Sequence, residues 1–167
     1  YYPVEFMAAL MTSVKDNTTK VSEYIQTCRS MGIAILPPDI NEGEGNFSVS
    51  NGAIRFGMSA IKSIGTPVIR AVVEERRLRG PYQSLKDFIS RVGSREVNKR
   101  ALENLIKSGA LDCVDGNRRQ KVLIYPMIMD QETQERKGSV AGQISLFDLA
   151  SEENKKDYEI RMPNVPE

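Results

Sequence analysis

The residues of this chain best suited to chemistry are those that could hold a phosphate, not those that could break a bond. In "AIKSIGTPVIRAV" two helical patterns meet at Ser63-Ile64-Gly65, with Thr66-Pro67 opening the second and Lys62 beside the joint. A helix N-terminus leaves backbone N–H groups without helical partners and carries the positive end of the helix dipole, so it is a ready seat for an anion. Gly65 permits a tight turn and lets another backbone approach closely. "LENLIKSGALDCV" repeats the pattern more loosely: Ile106 and Leu111 anchor it, Ser108-Gly109-Ala110 form the turn, and Lys107 flanks it. Lys99 and Arg100 lie on the same predicted helix. Glycine also follows helices at plain packing joints, so a single copy leaves both readings open. Two copies within one basic segment favour phosphate.

Bond-breaking chemistry finds little to work with. The chain has no histidine, which removes the usual general base and the commonest metal ligand. There is no Asp-x-Asp to hold paired metal ions for phosphoryl transfer. Asp112 and Asp115 flank the second joint, nothing else converges on them, and Asp112 reads as a turn or cap residue. No catalytic residue and no metal ligand are therefore expected. Cys28 and Cys113 have no partner pattern and read as two small buried apolar residues of a cytosolic protein.

The net charge of +1 hides an asymmetry. Residues 55–125 carry 15 Lys/Arg against 7 Asp/Glu, whereas residues 1–54 carry 3 against 6 and residues 126–167 carry 5 against 9. A basic middle between acidic ends is the electrostatic footprint of nucleic-acid contact, although a solvated basic face would give the same count. No stretch approaches the roughly 20 apolar residues of a membrane span. The opening "YYPVEFMAALM" has neither a basic leader nor an initiator Met, so the chain reads as a piece of something longer.

The elements that must position these joints are mostly helical. "YYPVEFMAALMTSV" is predicted as a helix with Pro3 in its first turn and Phe6, Met7, Leu10 and Met11 at helical spacing. "NTTKVSEYIQTCRSMG" is a second, capped by Asn17 or Thr18 and closed by Gly32, with a stripe of Val21, Ile25, Cys28 and Met31. "IAIL" is a short strand. In "NFSVSNGAIRFG" the Asn51-Gly52 pair predicts a type I′ hairpin. It would pair Val49 with Ile54 and Phe47 with Phe56 on one apolar face, with Ser48 and Arg55 on the other. Four helical stretches follow. "MSAIKSI" is a short helix; "TPVIRAVVEERRLRG" has Thr66 as N-cap; "SLKDFISRVG" starts on Ser84 with Asp87 as a capping-box variant; "NKRALENLIKSG" buries Leu102, Leu105 and Ile106. "NRRQKVLIYPMIMDQETQERK" is helical but should kink or break at Pro126. Beyond about Lys137 periodicity ends, and the tail is expected to be extended or disordered when free. Within it "GQISLFDLA" places Ile144, Leu146 and Phe147 between polar flanks, where a short element docked on its own domain is the plain reading.

Taken together, the first joint resembles the helix-hairpin-helix motif, which grips DNA through its backbone. The family's usual Gly-apolar-Gly is met except at its first position, Ser63. Five segments then extend the resemblance over essentially the whole chain: "YYPVEFMAALMTS", "CRSMGIAILPPDIN", "IRFGMSAIKSIG", "GPYQSLKDFISRV" and "VNKRALENLIKSGALD" run in the order found in the alpha subunits of bacterial DNA polymerase III. The resemblance implies a mainly α fold with a small β-hairpin. It divides into the end of a fingers domain (residues 1–57), a tandem helix-hairpin-helix module (58–125), and a helix end with a flexible tail (126–167). It implies backbone contacts to double-stranded DNA from Lys62, Ser63, Ile64, Gly65, Thr66, Lys99, Arg100, Lys107, Ser108 and Gly109. Gln143, Ile144, Ser145, Leu146 and Phe147 match the motif by which the family's alpha subunit binds the ring-shaped sliding clamp. Leu146 and Phe147 would each contribute roughly 1.5–3 kcal/mol by burial in an apolar pocket. The implied partners are duplex DNA, the clamp and the rest of the polymerase III holoenzyme, in the bacterial cytoplasm at the nucleoid. No cofactor is expected in this segment; the family's Mg²⁺ belongs to a palm domain upstream. Two other classes stay open: a helix-hairpin-helix module of a repair nuclease or ligase, and a protein-interaction domain whose basic surface meets an acidic partner.

Overall fold

The computed structural model describes residues 2–92, 97–140 and 163. Its first helix, α1 (Pro3–Ser13), begins on proline, whose fixed φ suits a first turn. Met7, Ala8 and Met11 form its buried stripe, while Phe6 faces outward at 63% exposure. The second, α2 (Thr18–Ser30), starts where the Asn17 side chain accepts the Lys20 N–H at 3.1 Å. It buries Val21 and Cys28, but Met31 is exposed, because the chain leaves the helix there through Gly32 at φ 75°.

A three-stranded sheet follows, ordered β1-β3-β2 from β1 (Ile35–Leu36), β2 (Ser48–Ser50) and β3 (Ala53–Arg55). Asn51 and Gly52 both have positive φ, as a type I′ turn requires, and Val49 pairs with Ile54. The Phe47 and Phe56 rings meet edge to face with centroids 4.9 Å apart. The expected apolar face is incomplete: Ile54 and Phe47 are buried, but Val49 at the hairpin tip is 38% exposed. β1 adds a parallel pairing to β3 that completes the sheet. The two helices and this sheet enclose one core built on Met11, Cys28, Phe47 and Ile54.

A larger second core takes in the rest of the described chain. "MSAIKSI" forms only a 3₁₀ turn, Met58–Ala60, instead of the expected short helix; Ile61 is already extended and Ser63 stands at φ 64°, so the chain turns where a helix would have continued. Then come α3 (Thr66–Arg79), α4 (Leu85–Val92), α5 (Lys99–Ser108) and α6 (Arg118–Val140). In α4 the Ser84 hydroxyl accepts the Asp87 N–H at 3.0 Å, while the Asp87 carboxylate takes the Gln83 N–H one residue outside the expected box. Among the described residues α6 runs unbroken through Pro126 to Val140, past both the expected break and the expected end near Lys137. Proline deletes one ladder bond, but Ile124, Tyr125, Ile128 and Met129 on both sides of it are buried against α4 and α5, and that packing holds the two halves in line. The outcome is a mainly α fold with a small sheet. No helix among the described residues is long and apolar enough to cross a membrane.

Candidate nucleic-acid interface

The first hairpin is anchored by Ile64, buried to 7% exposure in the second core, with Ile61 packed beside it. Ser63 has φ 64°, the left-handed region that glycine enters freely and other residues enter at a cost. The backbone therefore adopts a glycine-type turn although a serine occupies it. Asn104 of α5 donates from Nδ2 to the Lys62 carbonyl at 3.0 Å, tying the hairpin to α5. Helical spacing puts Arg100, Asn104 and Lys107 on one side of α5, so the hairpin lies beside two cations of that helix.

The α3 cap is Gly65, one residue before the expected Thr66, and no side chain caps the helix. Thr66 and Pro67 are already helical, and the Ile69 N–H closes the first turn on the Gly65 carbonyl at 3.2 Å. The N–H groups of Gly65, Thr66 and Val68 have no partner among the described residues. Gly65 itself has φ −84° and ψ 162°, a conformation open to any residue, and a Cβ there would meet only Pro67 Cδ at 3.5 Å. The fold does not need a glycine at this position. Lys62 is exposed, and Arg70, one turn into α3, adds an exposed cation that makes no ion pair among the described residues. Simple helical arithmetic from Thr66 would have found Arg70.

The second hairpin is built differently. Asn98 caps α5 by accepting the Ala101 N–H at 2.8 Å, and Gly109 ends it at φ 91°. Ile106 and Leu111 are fully buried, as the anchor reading requires. The chain does not re-enter a helix after Ser108-Gly109-Ala110, however; turns occupy residues 109–117 before α6 begins. Two features fill this loop. The buried Lys121 ammonium donates to the Leu111 and Val114 carbonyls at 2.6 and 2.9 Å, and burial pushes its pKa below the ordinary lysine value. Arg118 lies over Gly109, where a Cβ would stand 2.6 Å from its Nη2, and it forks onto Asp112. The α6 N-terminus is closed as well: the Gln120 N–H donates to Asn117 Oδ1 at 2.9 Å, and the Asn117 N–H donates to Gln120 Oε1 at 2.8 Å. Ser108 turns inward onto the Leu105 carbonyl at 2.8 Å.

The basic middle segment thus divides into two groups. Arg55, Arg76, Arg91 and Lys121 serve the fold. Arg91 lies 4.3 Å over the Tyr82 ring and donates to the Gly80 and Glu75 carbonyls, while Arg76 donates to the Ile40 and Gly43 carbonyls. Lys62, Arg70, Arg77, Arg79, Lys86, Lys99, Arg100, Lys107, Arg118 and Arg119 remain at the surface. Lys99 pairs with Asp130 at 3.3 Å and Lys107 with Glu103 at 2.5 Å, exposed pairs of the weak kind. Among the other expectations, Cys28 is buried but Cys113 is exposed, because the turn that carries it ends the core at Leu111 and Val114. Gln143 to Phe147 lie outside the described residues.

These paired turns over a shared helical core define a helix-hairpin-helix protein, and the family model described as "Helix-hairpin-helix motif" matches residues 32–121. Similarity also extends to DNA polymerase III alpha subunits. The chain is 45% identical to that of Thermus aquaticus over 88% of its own length and 12% of the relative. It is 39% identical to that of Vibrio cholerae over 100% of its own length and 15% of the relative. It is 39% identical to that of Chlamydia trachomatis over 90% and 12%. The chain belongs to the DNA polymerase III alpha-subunit family, as a segment containing its helix-hairpin-helix motif, and spans only 12–15% of the length of these relatives.

Proposed function

We propose that this segment holds duplex DNA by its phosphates, without reading sequence, and tethers a replicative polymerase to its sliding clamp. The observation that carries the first half is the uncapped N-terminus of α3 behind a glycine the fold does not require. A phosphate oxygen seated there would accept the Thr66 and Val68 N–H groups, with Ser63 and Gly65 leaving room and Lys62 beside it. Lys99, Arg100 and Lys107 extend the contact along α5; Ser108 and Gly109 shape the turn at its end. Exposed lysine–carboxylate pairs are readily exchanged for phosphate in water. Non-specific Kd values of about 10⁻⁴–10⁻⁶ M at physiological salt are expected, weakening steeply as salt rises. Polymerisation itself, with its Mg²⁺ ions, is assigned to parts of the longer relatives outside this segment.

Gly65→Ala tests the seat. The substitution should leave stability unchanged or raise it by up to about 1 kcal/mol, since it only restricts the unfolded chain. Duplex binding should nevertheless weaken, and Lys62→Glu with Lys107→Glu should lower both affinity and its salt slope. Unchanged binding in all of these variants would sink the hairpin reading and leave an acidic protein partner as the alternative.

The second half rests on Gln143-Ile144-Ser145-Leu146-Phe147 and its match to the family's clamp motif. A five-residue motif offers little surface against the cost of association, so the clamp alone should bind it weakly, and firm attachment should require DNA at the same time. Calorimetric titration into a bacterial sliding clamp should give heat that disappears when Leu146 and Phe147 are both changed to Ala. No heat from either chain would mean that these side chains pack on their own domain.

A further inference from the structure

Arg118 is the first residue of α6 and lies across the turn that ends α5. Its Nη2 donates to Asp112 Oδ2 at 2.6 Å, its Nε to Oδ1 at 3.1 Å, and its Nη1 reaches the Lys107 carbonyl at 3.5 Å. These bonds orient the guanidinium, yet the two side chains remain 46% and 43% exposed. A pair this exposed is weakly held in water, and it adds little to stability. Its geometry has another use. The guanidinium fork accepts a carboxylate and a phosphate in the same bidentate manner. The backbone donors of the α6 N-terminus, by contrast, are already met in part by the Asn117–Gln120 exchange.

We propose that Arg118 is the phosphodiester seat of the second hairpin, and that Asp112 is its built-in occupant. The carboxylate holds the fork in a binding geometry in the free protein and gives way to a DNA phosphate. This rests on the duplex-binding reading above, and it assigns the second hairpin a different chemistry from the first. The first offers backbone amides; the second offers a side-chain fork whose ligand must first displace an internal anion. Asp112 lowers the affinity of this hairpin, because its charge stays nearby after it is displaced. It also selects for a dense polyanion over isolated anions, which cannot outcompete a tethered carboxylate.

The test compares Asp112→Asn with Asp115→Asn in the 167-residue chain, by fluorescence anisotropy on a short blunt duplex over a range of salt. Both variants remove one exposed negative charge from the same loop, but Asp115 makes no ion pair among the described residues. Asp112→Asn should bind about three- to ten-fold more tightly than Asp115→Asn, since only it removes the competing carboxylate from the fork. Arg118→Gln should reduce the salt slope by about one and abolish the gain from Asp112→Asn. Arg118→Lys, which keeps the charge without the fork, should recover only part of it, and circular dichroism establishes that each variant is folded. Equal affinities for the two Asn variants, or a gain that survives Arg118→Gln, would overturn the assignment while leaving duplex binding intact. If no variant binds duplex even at low salt, duplex binding itself fails, and the Arg118 seat with it.

Discussion

Tyr82 shows how much a single side chain carries in this fold. It is 2% exposed, its hydroxyl donates to the Val72 carbonyl at 2.7 Å, and its ring meets Phe88 edge to face under the Arg91 guanidinium. Burial pushes the phenol up to about 12. The unfolded chain releases this proton near 10, so the protonated phenol stabilises the fold fully below that pH. This contribution is lost as pH rises from about 10 to 12, at roughly 1.4 kcal/mol per unit. Chemical denaturation across that window should show the loss, and Tyr82→Phe should flatten it while costing stability at neutral pH through the unmet Val72 carbonyl. Ser63 belongs to the same scale. The sequence shows a departure from a glycine pattern, and the backbone adopts the glycine conformation at that position all the same.

At the scale of elements, the two hairpin glycines separate by role. Gly65 sits in ordinary extended backbone with room for a side chain; Gly109 sits at φ 91° under Arg118. Gly109→Ala should therefore destabilise the protein by about 1–3 kcal/mol in thermal or denaturant melts, where Gly65→Ala does not. The cap of α2 is legible in the sequence, because Asn followed by a helical pattern is a local signal, and the Asn98 cap of α5 carries the same signal although it is not among the caps expected from the sequence. The course of α6 through Pro126 is not legible there. Proline's cost is local and visible in the sequence, whereas the packing of Ile124 and Ile128 that outweighs it comes from α4 and α5.

At the scale of the molecule, residues 39–47 join the two cores. The Ile40 N–H donates to the Ala110 carbonyl at 3.0 Å, and Asn41 both accepts from the Tyr82 N–H at 2.7 Å and donates to the Tyr82 carbonyl at 3.1 Å. Arg76 fastens the same loop through the Ile40 and Gly43 carbonyls at 2.9 and 2.8 Å and through Glu44 at 3.1 Å. Arg76→Ala leaves these carbonyls without their donor and should cost about 1–3 kcal/mol. Because it loosens the joint more than either core, it should also broaden or split the single unfolding transition, as read by comparing near- and far-UV circular dichroism. Unchanged, coincident transitions would mean that the cores are coupled elsewhere.

By itself the sequence determined most of the helices, the Asn51-Gly52 hairpin and the family. These depend on periodicity, caps and turn residues, which act within a few positions of one another. Tertiary structure alone decided which cations are available. Arg76, Arg91 and Lys121 count toward the basic segment exactly as Lys62 and Arg100 do, yet they are drawn inward by carbonyls and an aromatic ring 7 to 36 residues away in the chain. It also decided that the second hairpin faces solvent through Arg118 and Asp112. A charge's role follows from its partners and its burial, and those are set only when distant segments meet.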